Sequence, residues 1–140
     1  DFLDYILGPI TAAEAFAANQ AGHYPAEDVV TATWRFESGV QGTGAWCFTA
    51  FETVDRTEII GSHGRITFST FGSEPVLLTT KDSETEFAID YPVHIQQPLI
   101  QTVVDDLLGE GKCPSTGESG TRTTWVMDQI LSDYKAQSAG

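Results

Sequence analysis

VTATWRFESGVQGTGAWCF, residues 30–48, is the stretch whose reading decides the fold. Two alternating runs flank Glu37-Ser38-Gly39. This reads as a three-residue hairpin loop with Gly39 in the left-handed position of a bulged turn. In that register Phe36 faces Val40, Trp34 faces Gly42, Ala32 faces Gly44 and Val30 faces Trp46. All eight share one face, and each large ring stands opposite a small residue or glycine. A two-residue loop would set Phe36 against Gln41 and mix the faces. A one-residue slip inverts every side chain, so the three-residue register is the consistent one. The hairpin is expected in the middle of a sheet. Its second face carries Thr31, Thr33, Arg35, Gln41, Thr43, Ala45 and Cys47. These short, flat side chains are either solvated or meet another copy of the sheet.

A chain of 140 residues is expected to form one domain, 1–140. At that size a compact chain buries on the order of 70% of its unfolded surface, enough for a core without staples. The formal charge of −13 repels phosphate backbones, so nucleic acid and anionic membranes are poor partners. No apolar run approaches the ~20 residues of a membrane-spanning helix. The two cysteines, Cys47 and Cys113, show no disulfide or zinc spacing. They read as buried or half-buried free thiols, compatible with a reducing, cytoplasmic compartment.

Around the hairpin, Phe2, Leu3, Ile6 and Leu7 recur at helical spacing, and Gly8-Pro9 is a stop. No cap precedes Phe2, so the chain is expected to begin inside a helix, as a piece of something longer. Ile10 to Ala18 reads as an extended edge strand and Asn19 to Pro25 as loop. Thr57 to Ile60, Arg65 to Phe71, Val76 to Thr80 and Thr85 to Tyr91 are strand candidates, with Ile66 and Phe68 pointing inward. Gly61 to Gly64 and Lys81 to Ser83 are turns. The period then changes. In Gln97 to Gly109, Leu99, Ile100, Val103, Val104, Leu107 and Leu108 form one stripe behind Pro98. Ser115-Thr116-Gly117-Glu118 reads as a capping box for a last helix, striped by Val126, Met127, Ile130, Leu131 and Tyr134. Ala136 to Gly140 reads as a frayed tail. Strands followed by helices predict an α+β fold: an open, mostly antiparallel sheet with helices on one face, the other face flat and available for dimerisation.

Gly39-Val40-Gln41-Gly42-Thr43-Gly44 invites a phosphate-loop reading. Such a loop must follow a strand and open a helix, whose N-terminus holds the phosphate. Here the glycines lead into Trp46 and Phe48 within a strand. They read as room beneath Trp34, and no cofactor is expected on this chain. His23, His63 and His94 lie far apart, and none has a second ligand at helical spacing, so no metal site is expected. His63 reads as exposed in its turn and His94 as a capping or packing residue. Asp105-Asp106 reads as a solvated helix face. Phe51-Glu52-Thr53-Val54-Asp55-Arg56 links two strands and carries an aromatic, an acid and a base at a sheet end. It is either a ligand loop, with Phe51, Asp55 and Arg56 as substrate contacts, or a connector with a surface ion pair.

Four ordered stretches resemble the C-terminal domain of the glucose–fructose oxidoreductase / inositol dehydrogenase (Gfo/Idh/MocA) family. Asp1-Phe2-Leu3-Asp4-Tyr5-Ile6-Leu7-Gly8-Pro9 resembles the end of its H-x-x-D…LLG helix. Phe36 to Gly42 resembles its F-x-(N/S)-G-(A/V)-x-G hairpin. Glu58 to Gly64 resembles its E-I-x-G-x-x-G strand and turn. Pro114-Ser115-Thr116-Gly117-Glu118 resembles the P-x-T-G-E-x-(A/G) start of its last helix. The resemblance implies a parent enzyme whose N-terminal Rossmann domain binds NAD or NADP. A lysine of an E-K-P motif would act as acid/base, assisted by a histidine, while hydride passes between a sugar or polyol carbon and the nicotinamide. None of that machinery falls on this chain: Lys112-Cys113-Pro114 is only an echo in a loop. If Asp1 matches the aspartate of H-x-x-D, the histidine would lie three residues before it. The chain would then be the substrate-side and oligomerisation domain, inactive alone. Its subunit contact would be the sheet face of Thr31, Thr33, Arg35, Gln41 and Thr43. Relatives carry a Tyr-Asp pair before the E-I-x-G strand. Asp55 matches that aspartate, but Val54 stands where the tyrosine would be, a departure from polyol binding of that type. The alternative is a freestanding α+β module that binds a small molecule.

Overall fold

The computed structural model describes residues 1–138, so the last two residues of the expected frayed tail lie outside the described residues. The chain forms two compact units, Asp1–Phe51 with the chain from Asp105 on, and Glu52–Val104. No helix among the described residues is long and apolar enough to cross a membrane. The α+β expectation holds, with helices and antiparallel sheets. The strands, however, divide between two sheets rather than forming one.

The first unit opens with helix α1 (Phe2–Leu7), which ends where Gly8 takes a φ of 87°. Strand β1 (Ile10–Ala18) pairs antiparallel with β2 (Val29–Phe36), and β2 with β3 (Gln41–Cys47). The hairpin register is the expected one: Trp34 lies opposite Gly42, Ala32 opposite Gly44 and Val30 opposite Trp46. Phe36 N–H donates to the Val40 carbonyl at 2.8 Å, and Gly39 turns the chain at φ 87°. This places β2 in the centre of the sheet and β3 at an edge. The core sits on the predicted face, where Val30, Ala32 and Phe36 are buried. The glycines admit the tryptophans. A Cβ on Gly42 would lie 2.3 Å from Trp34 Nε1, and one on Gly44 2.5 Å from Trp46. The two indoles stack with centroids 6.3 Å apart.

The last helical stretch is two helices, α3 (Gly117–Ile130) and α4 (Ser132–Ser138), numbered after the α2 helix described below. Both pack on β1. The capping box sits one residue later than its sequence signature suggests. Thr116 is the N-cap, accepting from Ser119 N–H, and the Ser119 hydroxyl answers the Thr116 N–H. Serine thus does at N3 what Glu118 is one position too early to do. The chain from Ala136 to Ser138 is helical rather than frayed.

The second unit is a meander of β4 (Thr57–Ile60), β5 (Gly64–Phe68), β6 (Val76–Thr80) and β7 (Glu84–Phe87). Strand β5 stops at Phe68, short of the expected Phe71, because Asp55 takes up the backbone that follows it. Ile66 is exposed rather than inward, while Phe68 is half-buried. Helix α2 (Gln97–Leu108) begins and ends near its expected bounds. Its apolar stripe is exposed, from Val103 at 41% to Leu107 at 82%. The 3.6-residue period sets which side chains share a face, and says nothing of what covers that face.

Candidate functional site

Polar side chains gather around Asp55 in the second unit and under α1 in the first.

Asp55 follows directly from its loop. Ser69 hydroxyl donates to Asp55 Oδ2 at 2.6 Å and the Phe71 N–H donates to the same oxygen at 2.6 Å. The Gly72 N–H donates to Ser69 Oγ at 2.7 Å, and Tyr91 hydroxyl donates to the Gly72 carbonyl. The Ser69 hydroxyl, then the Phe71 N–H, hold the Asp55 carboxyl below its ordinary range. The aspartate therefore organises residues 69–72 of its own chain through Oδ2. Arg56 donates to Glu58 at 2.6 Å, and Arg65 stands 3.8 Å from the same carboxylate. This is the surface ion pair of the connector reading. Phe51 is fully exposed, and the boundary between the two compact units falls directly after it. The structure thus gives Asp55 and Arg56 separate partners, Ser69 and Glu58.

Under α1, Arg122 of α3 reaches Asp4 with both arms of its guanidinium, Nε to Oδ2 at 3.0 Å and Nη2 to Oδ1 at 2.7 Å. The Arg122 hydrogen bond lowers the Asp4 pKa, although burial opposes it. Glu118, one turn earlier on α3, adds an ion pair at 3.5 Å. Asp1 accepts at 3.4 Å from both Ser115 and Thr123. Beside these groups lies a solvent-open groove lined by Leu3, Ile10, Trp34, Trp46, Val126, Met127 and Ile130. The i,i+4 spacing of Glu118 and Arg122 was legible in the sequence. The Asp4–Arg122 pair had no local signal.

Asp28 is the other residue the sequence did not single out. It is 1% exposed. Gln20 N–H donates to Oδ1 at 2.7 Å and Ala21 N–H to Oδ2 at 2.8 Å, holding the loop between β1 and β2. Those two donors, Gln20 first, lower its pKa. Its partners are backbone groups, which no side-chain motif announces. Asp106 likewise is more than a solvated helix residue. Cys113 N–H and Lys112 Nζ both donate to it at 3.1 Å, and in that order they lower its pKa. Cys113 is half-buried, its Sγ donating to the Ser115 carbonyl at 3.0 Å, whereas Cys47 is exposed rather than buried or half-buried.

The glycine stretch does not fit a dinucleotide. Gly39 turns a hairpin, and residues 41–47 continue as β3, with no helix N-terminus to meet a phosphate. The flat face of the hairpin is open: Thr31, Thr33, Arg35, Gln41, Thr43, Ala45 and Cys47 are all exposed. On β1, Phe16 pairs with Thr31 on this face and is 86% exposed.

This fold recurs in solved oxidoreductases. An oxidoreductase from Agrobacterium radiobacter, crystallised with NAD+, L-tartaric acid and magnesium, aligns with 91% of this chain and 42% of its own, at a TM-score of 0.78 and 17% identity. Aldose-aldose oxidoreductase from Caulobacter crescentus, complexed with glycerol, aligns with 92% of this chain and 40% of its own, at a TM-score of 0.73 and 12% identity. At such identities the likeness is one of fold. In sequence, Oxidoreductase P35 of Formosa agariphila is 32% identical over 110 residues, 79% of this chain. The chain spans about a third of that relative's length, 33%. Residues 1–67 match the model of the GFO/IDH/MocA C-terminal domain, the family that the motifs at Asp1–Pro9, Phe36–Gly42 and Glu58–Gly64 resemble.

Proposed function

We propose that the chain is the C-terminal, substrate-side and subunit-contact domain of an NAD(P)-dependent oxidoreductase acting on a sugar or polyol. The family match over residues 1–67 carries this reading. The chain's share of its relatives, 33% of Oxidoreductase P35 and 42% of the Agrobacterium enzyme, supports a second, cofactor-binding part outside it. NAD or NADP would be held there, since the residues present do not fit one. The glycerol complex of the Caulobacter enzyme supports a polyol-like substrate.

In this reading Phe51, Asp55 and Arg56 stand toward substrate. Asp55 Oδ2 is fixed by Ser69 and Phe71, so its part is to shape the loop that carries Phe71. The face of Thr31, Thr33, Arg35, Gln41 and Thr43 forms the contact with a second subunit. The chain alone transfers no hydride. Titration of the isolated chain with NADH, followed by fluorescence, is expected to show no tight binding. Tight NADH binding to this chain would overturn the domain assignment.

A further inference from the structure

We infer that the free edge of β3 is a docking surface for the β3 edge of a second copy, the two strands pairing antiparallel about Gly44. The contact is edge to edge; it neither uses nor depends on the face-to-face contact proposed above.

The hairpin register fixes which backbone groups β3 leaves open. Phe36 N–H donates to the Val40 carbonyl, and Phe48 N–H donates to the Asp28 carbonyl at 2.9 Å. In an antiparallel ladder, bonded pairs alternate with unbonded ones. Gly42, Gly44 and Trp46 therefore direct their amides to β2, where they stand opposite Trp34, Ala32 and Val30. Gln41, Thr43, Ala45 and Cys47 turn theirs away from β2, and β3 is an edge of its sheet. Among the described residues nothing pairs with those backbone groups.

Open edges invite a further strand, and proteins guard them with charge, proline, bulges or shortness. The other edges carry such guards. Strand β1 has Glu14 and a register shift between Ile10 and Ala12. Strands β4 and β7 are each 4 residues long and carry Glu58, and Glu84 with Glu86. Strand β3 runs 7 residues, QGTGAWC, with no charge and no proline, and its register against β2 is unbroken.

The sequence of β3 is also its own complement. With Gly44 opposite Gly44 of the second copy, Trp46 lies opposite Gly42, Thr43 opposite Ala45 and Gln41 opposite Cys47 of that copy. A large ring again faces a glycine, as Trp34 faces Gly42 within the hairpin. Every outward amide of β3 falls in a bonded position. A two-residue shift either way leaves an outward residue at one end with no opposite number in the strand. A chain of net charge −13 meets its copy here along a strand free of charge.

Gln41→Cys tests the register through the native Cys47, which is exposed. Opposed residues of a bonded pair lie about 5.5 Å apart at Cα, within disulfide reach. Within one strand residues 41 and 47 are about 20 Å apart, so the link can form only between chains. Sheets stacked face to face lie about 10 Å apart, beyond that reach. In a glutathione redox buffer at high chain concentration, the whole chain carrying Gln41→Cys is expected to form a covalent dimer. Peptide mapping should place the disulfide between position 41 and Cys47. Thr33→Cys, also exposed but on the central strand, should form no such link. Thr43→Pro added to Gln41→Cys should suppress it; a free edge tolerates this proline because the lost N–H points outward. A Gln41→Cys chain that stays monomeric overturns the edge pairing. So does a link that survives in the folded proline variant, or one that Thr33→Cys forms as readily.

Discussion

Arg122 holds Asp4 through two hydrogen bonds, 3.0 and 2.7 Å long, across 118 residues of sequence. The pair fastens α1 to α3. The Asp4 side chain is only 9% exposed.

Asp4→Ala is therefore expected to lower stability by about 1–3 kcal/mol, since it removes a hydrogen-bonded, largely buried carboxylate and leaves Arg122 only the exposed Glu118. The pH dependence has a definite sign. The folded pKa of Asp4 lies below the ordinary value of 3.8. Its contribution is fully present above that value and is lost as pH falls through the lower, folded pKa. Urea midpoints measured between pH 6 and pH 2.5 should show wild type losing more than Asp4→Asn. Parallel curves would refute the coupling.

The hairpin was legible because its information is local and two-sided. Only one register sets Trp34 over Gly42 and Val30 opposite Trp46, and one glycine supplies the left-handed turn. The meander was legible in the number and order of its strands and in the bounds of β4 and β6, but not in the ends of β5 and β7. Strand β5 terminates because Asp55, placed 16 residues before Phe71, captures that residue's N–H. The same holds for Asp28 and for Asp4 with Arg122. An acid's partner is chosen by the fold, and when that partner is a backbone amide or a distant arginine, spacing carries no trace of it. Helix α2 shows the complementary limit: a correct stripe whose surroundings the period cannot name.

The register makes Gly42 the sharpest steric test. Its missing Cβ would stand 2.3 Å from Trp34 Nε1 and 2.5 Å from Cε2, and an indole cannot bend out of the way. Gly42→Ala is expected to cost about 1–3 kcal/mol by overpacking. Trp34→Leu in the same chain should recover much of that loss. The non-additivity, read from a double-mutant cycle of urea midpoints, is the diagnostic. Additive losses would mean that Trp34 does not rest on Gly42.

Asp28 makes a prediction about local rather than global order. Asp28→Ala removes both acceptors of the Gln20 and Ala21 amides. Hydrogen exchange at those two amides should accelerate by at least roughly tenfold, while amides in β2 change much less. The Asn19 and Tyr24 contact and the Tyr134 hydroxyl bond to the Pro25 carbonyl, 3.0 Å, should keep the rest of the loop in place. Equal acceleration throughout the first unit would instead make Asp28 a global determinant.

The open face of the first sheet leads to the last prediction. Thr31, Thr33, Gln41 and Thr43 leave it flat, and Phe16 adds an apolar ring at 86% exposure. Flat, pleated surface suits a second sheet, and its charges, Arg35 and the Glu14 opposite Thr33, are of opposite sign. A two-fold contact presents each position to the contact twice, so one new charge per chain is counted twice across it. The isolated chain is expected to self-associate at high concentration. Thr33→Lys should shift it toward monomer, with the thermal midpoint of the monomer little changed because the side chain is exposed and Glu14 stands opposite it. Sedimentation velocity over a concentration series separates the outcomes. A wild-type chain that stays monomeric throughout would remove the sheet face from the proposed subunit contact.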